Sequence, residues 1–203
     1  MPETHLGLRA RKKLKTRAAI QNEAMRLFLE KGFQATTIEE IAEAVEISPS
    51  TFFNYFPNKE DVVMQDDLDP LMIEIFNAQP AELGPIAAMR NAMRTVFATM
   101  TPEEDVLARQ RIRLIAADPD LRAAMLNQFA GLVEEVAEIV AGRAGLRPTD
   151  FAVRNLAGAL LGVLMSAMLA AADHPNADFL GLVDAAMGHL EDGLPIPRAK
   201  ATS

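Results

Sequence analysis

The 203-residue chain contains no cysteine, no tryptophan and a single tyrosine. Without cysteine there is no disulfide, no thiolate nucleophile and no cysteine-based metal site. Histidine is scarce as well. His5 lies near the start, His174 in a DHPN segment and His189 close to the end. No HExxH pattern occurs, and no serine has a plausible basic partner, so neither an enzyme nor a metal or other cofactor is expected. The carboxylates Glu103, Glu104 and Asp105 read as a helix first turn, where negative charge meets the positive end of the helix dipole. Glu134, Glu135 and Glu138 read as a solvated face. Gly-rich phosphate loops, internal repeats and strand-like alternation are absent. The most apolar run, Leu156–Ala172, spans 17 residues between Arg154 and Asp173. That is short of the roughly 20 needed to cross a bilayer, so no membrane role is expected. The opening MPETHLGLRARKK carries no apolar core of a secretory signal, which points to a cytoplasmic protein.

What the chain has in quantity is helix formers. Half of its residues are hydrophobic, with alanine, leucine and methionine abundant, and an all-α fold follows. The net charge of −8 argues against a nucleic-acid partner until its distribution is considered. Arg9, Arg11, Lys12, Lys13, Lys15 and Arg17 crowd the start, opposed there only by Glu3. Screening confines charge effects to about 8 Å at physiological salt, so a local basic cluster outweighs a distant acidic surplus. A basic arm over residues 1–15 is compatible with phosphate contact, and equally with a solvated tail.

Helix punctuation is densest between residues 16 and 62. A first helix runs from about Thr16 to Lys31, with Ile20, Ala24, Leu27 and Phe28 on one face and Gly32 as its terminator. Thr37 with Glu40 forms a capping box for a second, two-turn helix striped by Ile38, Ile41, Ala42 and Val45. Ser48 and Pro49 open a third helix, PSTFFNYF, that stops before Pro57. Asn58 caps a fourth. Two short helices joined by a tight turn match a helix-turn-helix. Phe52 and Phe56 point inward. Pro49, Ser50, Phe53 and Asn54 face outward, with Thr51 and Tyr55 at the flank. Hydroxyls and a phenol suit phosphates, asparagine suits adenine and apolar groups suit thymine methyls. Read singly, Phe53 and Tyr55 are more often core aromatics of a helical bundle, a reading that explains the punctuation and the small outward residues poorly.

The segment GFQATTIEEIAEAVEISPSTFFNYFPNKEDV resembles the DNA-binding domain of the TetR family of bacterial transcriptional repressors. Gly32, Phe33, Thr36, Thr37, Ile38, Ala42, Ile47, Ser48, Thr51, Phe52, Phe53, Tyr55, Phe56, Lys59 and Glu60 carry the likeness, over about a quarter of the chain. The resemblance implies that Thr36, Thr37, Ser48, Tyr55 and Lys59 meet the phosphate backbone, supported by Lys12, Lys13, Lys15 and Arg17. It places Pro49, Ser50, Thr51, Phe53 and Asn54 where the family reads bases. Neither Pro49 nor Asn54 is basic, so base readout would lean on Asn54, methyl contacts and DNA shape.

Residues 63–195 read as further helices, about nine in the chain overall, followed by a loose tail over 196–203. The resemblance implies a ligand-binding and dimerisation domain here, a homodimer on a palindromic operator and a small effector. Met72, Phe76, Met89, Met93, Phe97, Met125, Phe129, Met165 and Met168 are candidates to line a pocket, because methionine adapts to irregular apolar shapes. Each is also ordinary core material. Without tryptophan, a neutral or anionic lipophile fits better than a planar cation, and the family includes acyl-CoA sensors. Leu161, Leu164, Met168, Leu182 and Ala186 are candidates for the dimer interface. Arg109, Arg111 and Arg113 are candidates to couple effector to DNA through the acidic stretch Asp66, Asp67 and Asp69. A helical protein-interaction module without DNA function is the alternative.

Overall fold

The computed structural model describes residues 8–64, 69–174 and 177–196. Ten helices are present among them: α1 Leu8–Lys31, α2 Ile38–Ala44, α3 Pro49–Phe53, α4 Lys59–Met64, α5 Asp69–Asn77, α6 Pro85–Thr99, α7 Pro102–Ala117, α8 Pro119–Ala144, α9 Phe151–Ala172 and α10 Phe179–Glu191. No strand occurs in the described residues. The tenth helix is α5, which the sequence leaves as a continuation or a successor of the fourth.

Local chemistry explains most boundaries. Gly32 ends α1 at φ +87°, a left-handed value that costs glycine little. Thr37–Glu40 and Thr101–Glu104 form capping boxes with both reciprocal bonds. The Asp118 carboxylate accepts from the backbone N–H groups of Asp120 and Leu121 to open α8. Asn58 Oδ1 accepts from Asp61 N at 2.9 Å, as an N-cap does.

The start of α1 differs from the expectation. The helix begins at Leu8, so Lys12, Lys13 and Lys15 lie on its exposed surface instead of on an arm. Leucine, arginine, lysine and alanine are all strong helix formers, and Thr16 makes no cap that would separate arm from helix. Residues 1–7, with His5, and the tail beyond 196 lie outside the described residues.

Two apolar cores form. The first joins α5, α6, α8, α9 and α10 around Phe76, Ala92, Val140, Ala157, Leu160 and Met187. The second joins α1 to α4 around Ile20, Phe28, Ile41, Phe52, Phe56 and Val62. Residues 16–62 do not close this second core. Val63, Ile115 of α7 and Leu121 of α8 are buried in it, with Met125 and Met168 packed against it. The helix-turn-helix is thus seated on the α7–α8 corner. Polar bonds fix that seat: Gln34 Nε2 donates to Asp118 (3.1 Å) and Asp120 (2.9 Å), and Gln128 Nε2 donates to the buried Asp61 carboxylate at 3.0 Å.

Candidate DNA-binding surface and effector cavity

The α2–turn–α3 unit is held by its own aromatic residues. Phe52 and Phe56 are fully buried, with ring centroids 5.9 Å apart. The turn passes through Glu46 at φ +56°, with Ile47 N–H reaching back to the Ala42 carbonyl at 2.9 Å. Ser48 Oγ accepts from Thr51 N–H at 3.1 Å, and the two hydroxyls lie 2.8 Å apart. With Phe52 and Phe56 turned in, α3 presents Pro49, Ser50 and Phe53 outward and ends at its exposed C-cap Asn54, short of the PSTFFNYF span the sequence predicts. Phe53 is 51% exposed and meets Phe52 edge-on, centroids 5.7 Å apart. Thr51 and Tyr55 are half-buried at the flank, where Tyr55 packs against the core. Thr37 and Ser48 are exposed at the ends of α2 and α3 that open toward solvent.

Three candidate residues occupy other roles. Thr36 is buried and its hydroxyl donates to the Gly32 carbonyl at 2.9 Å, so it secures the turn after α1 and presents no group to a phosphate. Lys59 Nζ donates to the carbonyls of Phe33 (2.7 Å) and Thr36 (2.9 Å) and lies 4.2 Å from the Phe33 ring centroid. Arg17 is half-buried with its guanidinium 4.9 Å from the Phe56 ring centroid. Both cations face inward because these aromatic faces and free carbonyls offer partners that solvent-facing positions lack.

The pocket candidates do not converge. Phe76, Met89 and Met93 are buried in the C-terminal core, with Met72 and Phe97 packed on it. Met125 and Met168 pack instead against the helix-turn-helix core. Phe129 and Met165 are half-buried and belong to neither. Sequence spacing shows which face of a helix is apolar, not which core that face meets. Of the nine, Met93 and Phe97 line a cavity between α6 and α10. It holds about 250 Å³ and is lined by Arg90, Met93, Arg94, Phe97, Ala98, Leu180, Val183, Asp184 and Met187.

Arg90, Arg94 and Asp184 escaped the sequence reading. Asp184 accepts from Arg90 Nε (2.8 Å) and Nη2 (2.9 Å) and from Arg94 Nε (2.5 Å) and Nη2 (2.8 Å). Arg90 Nη1 also reaches Glu191 at 3.1 Å. Bonds from Arg90 and then Arg94 hold the Asp184 carboxyl well below the usual carboxylate range, and the same bonds raise Arg90. Gly188 makes the arrangement possible, since a Cβ there would lie 2.8 Å from Arg90 Nη2. An arginine pair at i, i+4 was visible in the sequence, but its carboxylate lies 94 residues away for Arg90.

Arg109 is paired inside the C-terminal domain. It bonds Asp105 on its own helix and donates to the Ala177 carbonyl at 2.9 Å, just before α10. Asp66 and Asp67 lie outside the described residues, as does the side chain of Asp69.

These features match known proteins on both domains. The family model described as bacterial regulatory proteins, tetR family, matches residues 20–65, and that of the MftR C-terminal domain matches residues 83–195. The transcriptional regulator TcmR of Streptomyces glaucescens is 35% identical over 151 residues, covering 71% of this chain and 67% of its own. MftR of Mycobacterium tuberculosis is 30% identical over 158 residues, covering 73% and 75%. The chain belongs to the TetR family. It is a helix-turn-helix transcriptional regulator of that family, whose members bind operator DNA and small-molecule effectors and act as dimers. Among solved structures, the TetR-family repressor FadR of Thermus thermophilus, in complex with lauroyl-CoA, superimposes with a TM-score of 0.57 at 29% identity, covering 92% of this chain and 99% of that one. SmeT of Stenotrophomonas maltophilia, at 17% identity and a TM-score of 0.55, shares the fold.

Helix α9 is long and apolar enough to span a membrane, yet only 22% of its most apolar window is buried. Phe151 is 81% and Leu169 43% exposed, and Gly162 is exposed between them. Leu161 is half-buried outside both cores, whereas Leu164, Leu182 and Ala186 pack partly on the C-terminal core and Met168 on the other.

Proposed function

We infer that this regulator is a repressor that holds a palindromic operator as a homodimer and releases it on binding a small lipophilic effector. The observation that carries this reading is the outward face of α3, where an exposed phenylalanine and asparagine sit among hydroxyl groups on a helix anchored from behind. Pro49, Ser50, Phe53 and Asn54 meet base edges. Thr37, Ser48, Thr51 and Tyr55 meet phosphates, and Lys12, Lys13 and Lys15 add charge from α1. The exposed strip of α9, with α10 beside it, joins the second copy in the manner of a four-helix interface, which accounts for an apolar helix so little buried within one chain. Half-sites then fall about one helical turn, roughly 34–36 Å, apart. The lauroyl-CoA complex of the FadR relative supports an acyl chain as effector. The protein works in the cytoplasm and catalyses no reaction.

The test is a gel shift with DNA flanking the protein's own gene against a scrambled duplex of equal length. Preference for the flanking DNA, reduced by an acyl effector, supports the reading. Equal affinity for both duplexes overturns it.

A further inference from the structure

We propose that the α6–α10 cavity is the effector site and takes a medium-chain amphiphile with an anionic head, which draws Arg94 and Arg90 away from Asp184. This rests on the regulator reading above. The cavity is lined by apolar Met93, Phe97 and Met187 and by the ion-paired Arg90, Arg94 and Asp184. Arg94 is 55% exposed and spends its Nε and Nη2 on Asp184. Volume bounds the chain. About 250 Å³ lies just under the roughly 300–1,000 Å³ of common ligand pockets, which suits a short or medium chain.

Charge selects the head group. Asp184 occupies the guanidinium edges as a ligand carboxylate or phosphate would, so the chain carries its own stand-in for the anion. A neutral occupant leaves the Arg90–Asp184–Arg94 link as it is. It therefore has the same affinity for the linked and the unlinked state, and shifts nothing. An anion competes with Asp184 and so favours the unlinked state. That link joins α6 to α10, and α10 flanks the exposed strip of α9 assigned to the second copy. Loosening it changes how the two copies sit and hence the spacing of their α3 helices.

The experiment is isothermal titration of the full chain with octanoate, octan-1-ol and octanoyl-CoA. Octanoate is expected to bind at least about tenfold more tightly than octan-1-ol, as loss of a charge-assisted bond implies. Arg94→Ala is expected to remove that difference. Asp184→Asn is expected to tighten octanoate binding, because it removes the competing carboxylate, whereas a purely structural link predicts weaker binding or none. Octanoyl-CoA binding without octanoate binding, and lost in Arg94→Ala, supports the same site with phosphate as the anion. Equal measurable affinity for octanoate and octan-1-ol, full octanoate affinity in Arg94→Ala, or binding of none of the three ligands overturns the proposal. These titrations need no DNA, so failure to bind an operator counts only against the regulator reading.

Discussion

The ammonium of Lys59 lies 4.2 Å from the ring centroid of Phe33 and donates to the Phe33 carbonyl at 2.7 Å. With a second bond to the Thr36 carbonyl, it ties the start of α4 to the turn between α1 and α2. Lys59→Met keeps the stem but leaves two carbonyls without this donor, at a cost of about 1–3 kcal/mol. Melting temperature should fall. The dependence of operator affinity on salt should hold its slope, since the ammonium is engaged by these two carbonyls. A slope reduced by about one would show that Lys59 contacts the backbone after all.

Lys12→Ala is expected to weaken binding to operator and random DNA alike and to lower the salt slope by about one. Asn54→Ala should instead relax preference at particular base pairs, by roughly 1–3 kcal/mol for a bidentate adenine contact. Binding to a panel of single-base operator variants separates the two. Asn54→Ala with unchanged preference at every position rules out base readout by this residue.

Glu46 holds φ +56° in the turn before α3, where a side chain is strained and glycine is not. Glu46→Gly is expected to stabilise the protein by up to about 1 kcal/mol, the strain relief being partly offset by a more flexible unfolded chain. Denaturant titration provides the check. A destabilised variant would mean that the Glu46 side chain makes a contact worth more than the strain.

Leu169→Glu places a carboxylate on the exposed strip of α9 and Leu161→Glu on its half-buried flank, both outside the two cores. Both should shift the protein from dimer to monomer in sedimentation equilibrium, because burying an unpaired charge in a helix interface is costly. Leu164→Glu is a poorer probe, since Leu164 also packs on the C-terminal core. Two fully dimeric variants would place the interface elsewhere.

Asp184→Asn is expected to lower the melting temperature at neutral pH by weakening the α6–α10 link. Folding lowers the Asp184 pKa, so its stabilisation is full above the unfolded value of about 3.9 and is lost as pH falls below it. Arg90, Arg94 and Glu191 are the charged groups around it, and both arginines keep their charge across this range. The gap between wild type and variant should therefore hold constant from pH 7 to about 4 and narrow progressively only as pH falls below about 3.9. A gap that stays constant on acidification would assign it to packing instead.

The sequence by itself determined everything that rests on neighbours in the chain. Caps at Thr37, Ser48 and Asn58, the glycine stop at Gly32 and the inward pair Phe52 and Phe56 are bonds or contacts spanning five residues or fewer, and all are legible in the sequence. So is the outward face of α3, which is what remains once Phe52 and Phe56 turn in. Only the tertiary structure decided which side chains at these ends were already spoken for. The resemblance sets Lys59, with Arg17 in support, at the phosphate backbone, while the Phe33 carbonyl and the Phe56 ring beside them are brought near only by folding. The methionines divided between two cores for the same reason: helical periodicity marks an apolar face but carries no information about its partner. The link from Arg90 to Asp184 needs two residues 94 apart in the chain to lie side by side on packed helices, with the Arg90 guanidinium lying over Gly188. That kind of relation depends on packing geometry, which no local pattern encodes.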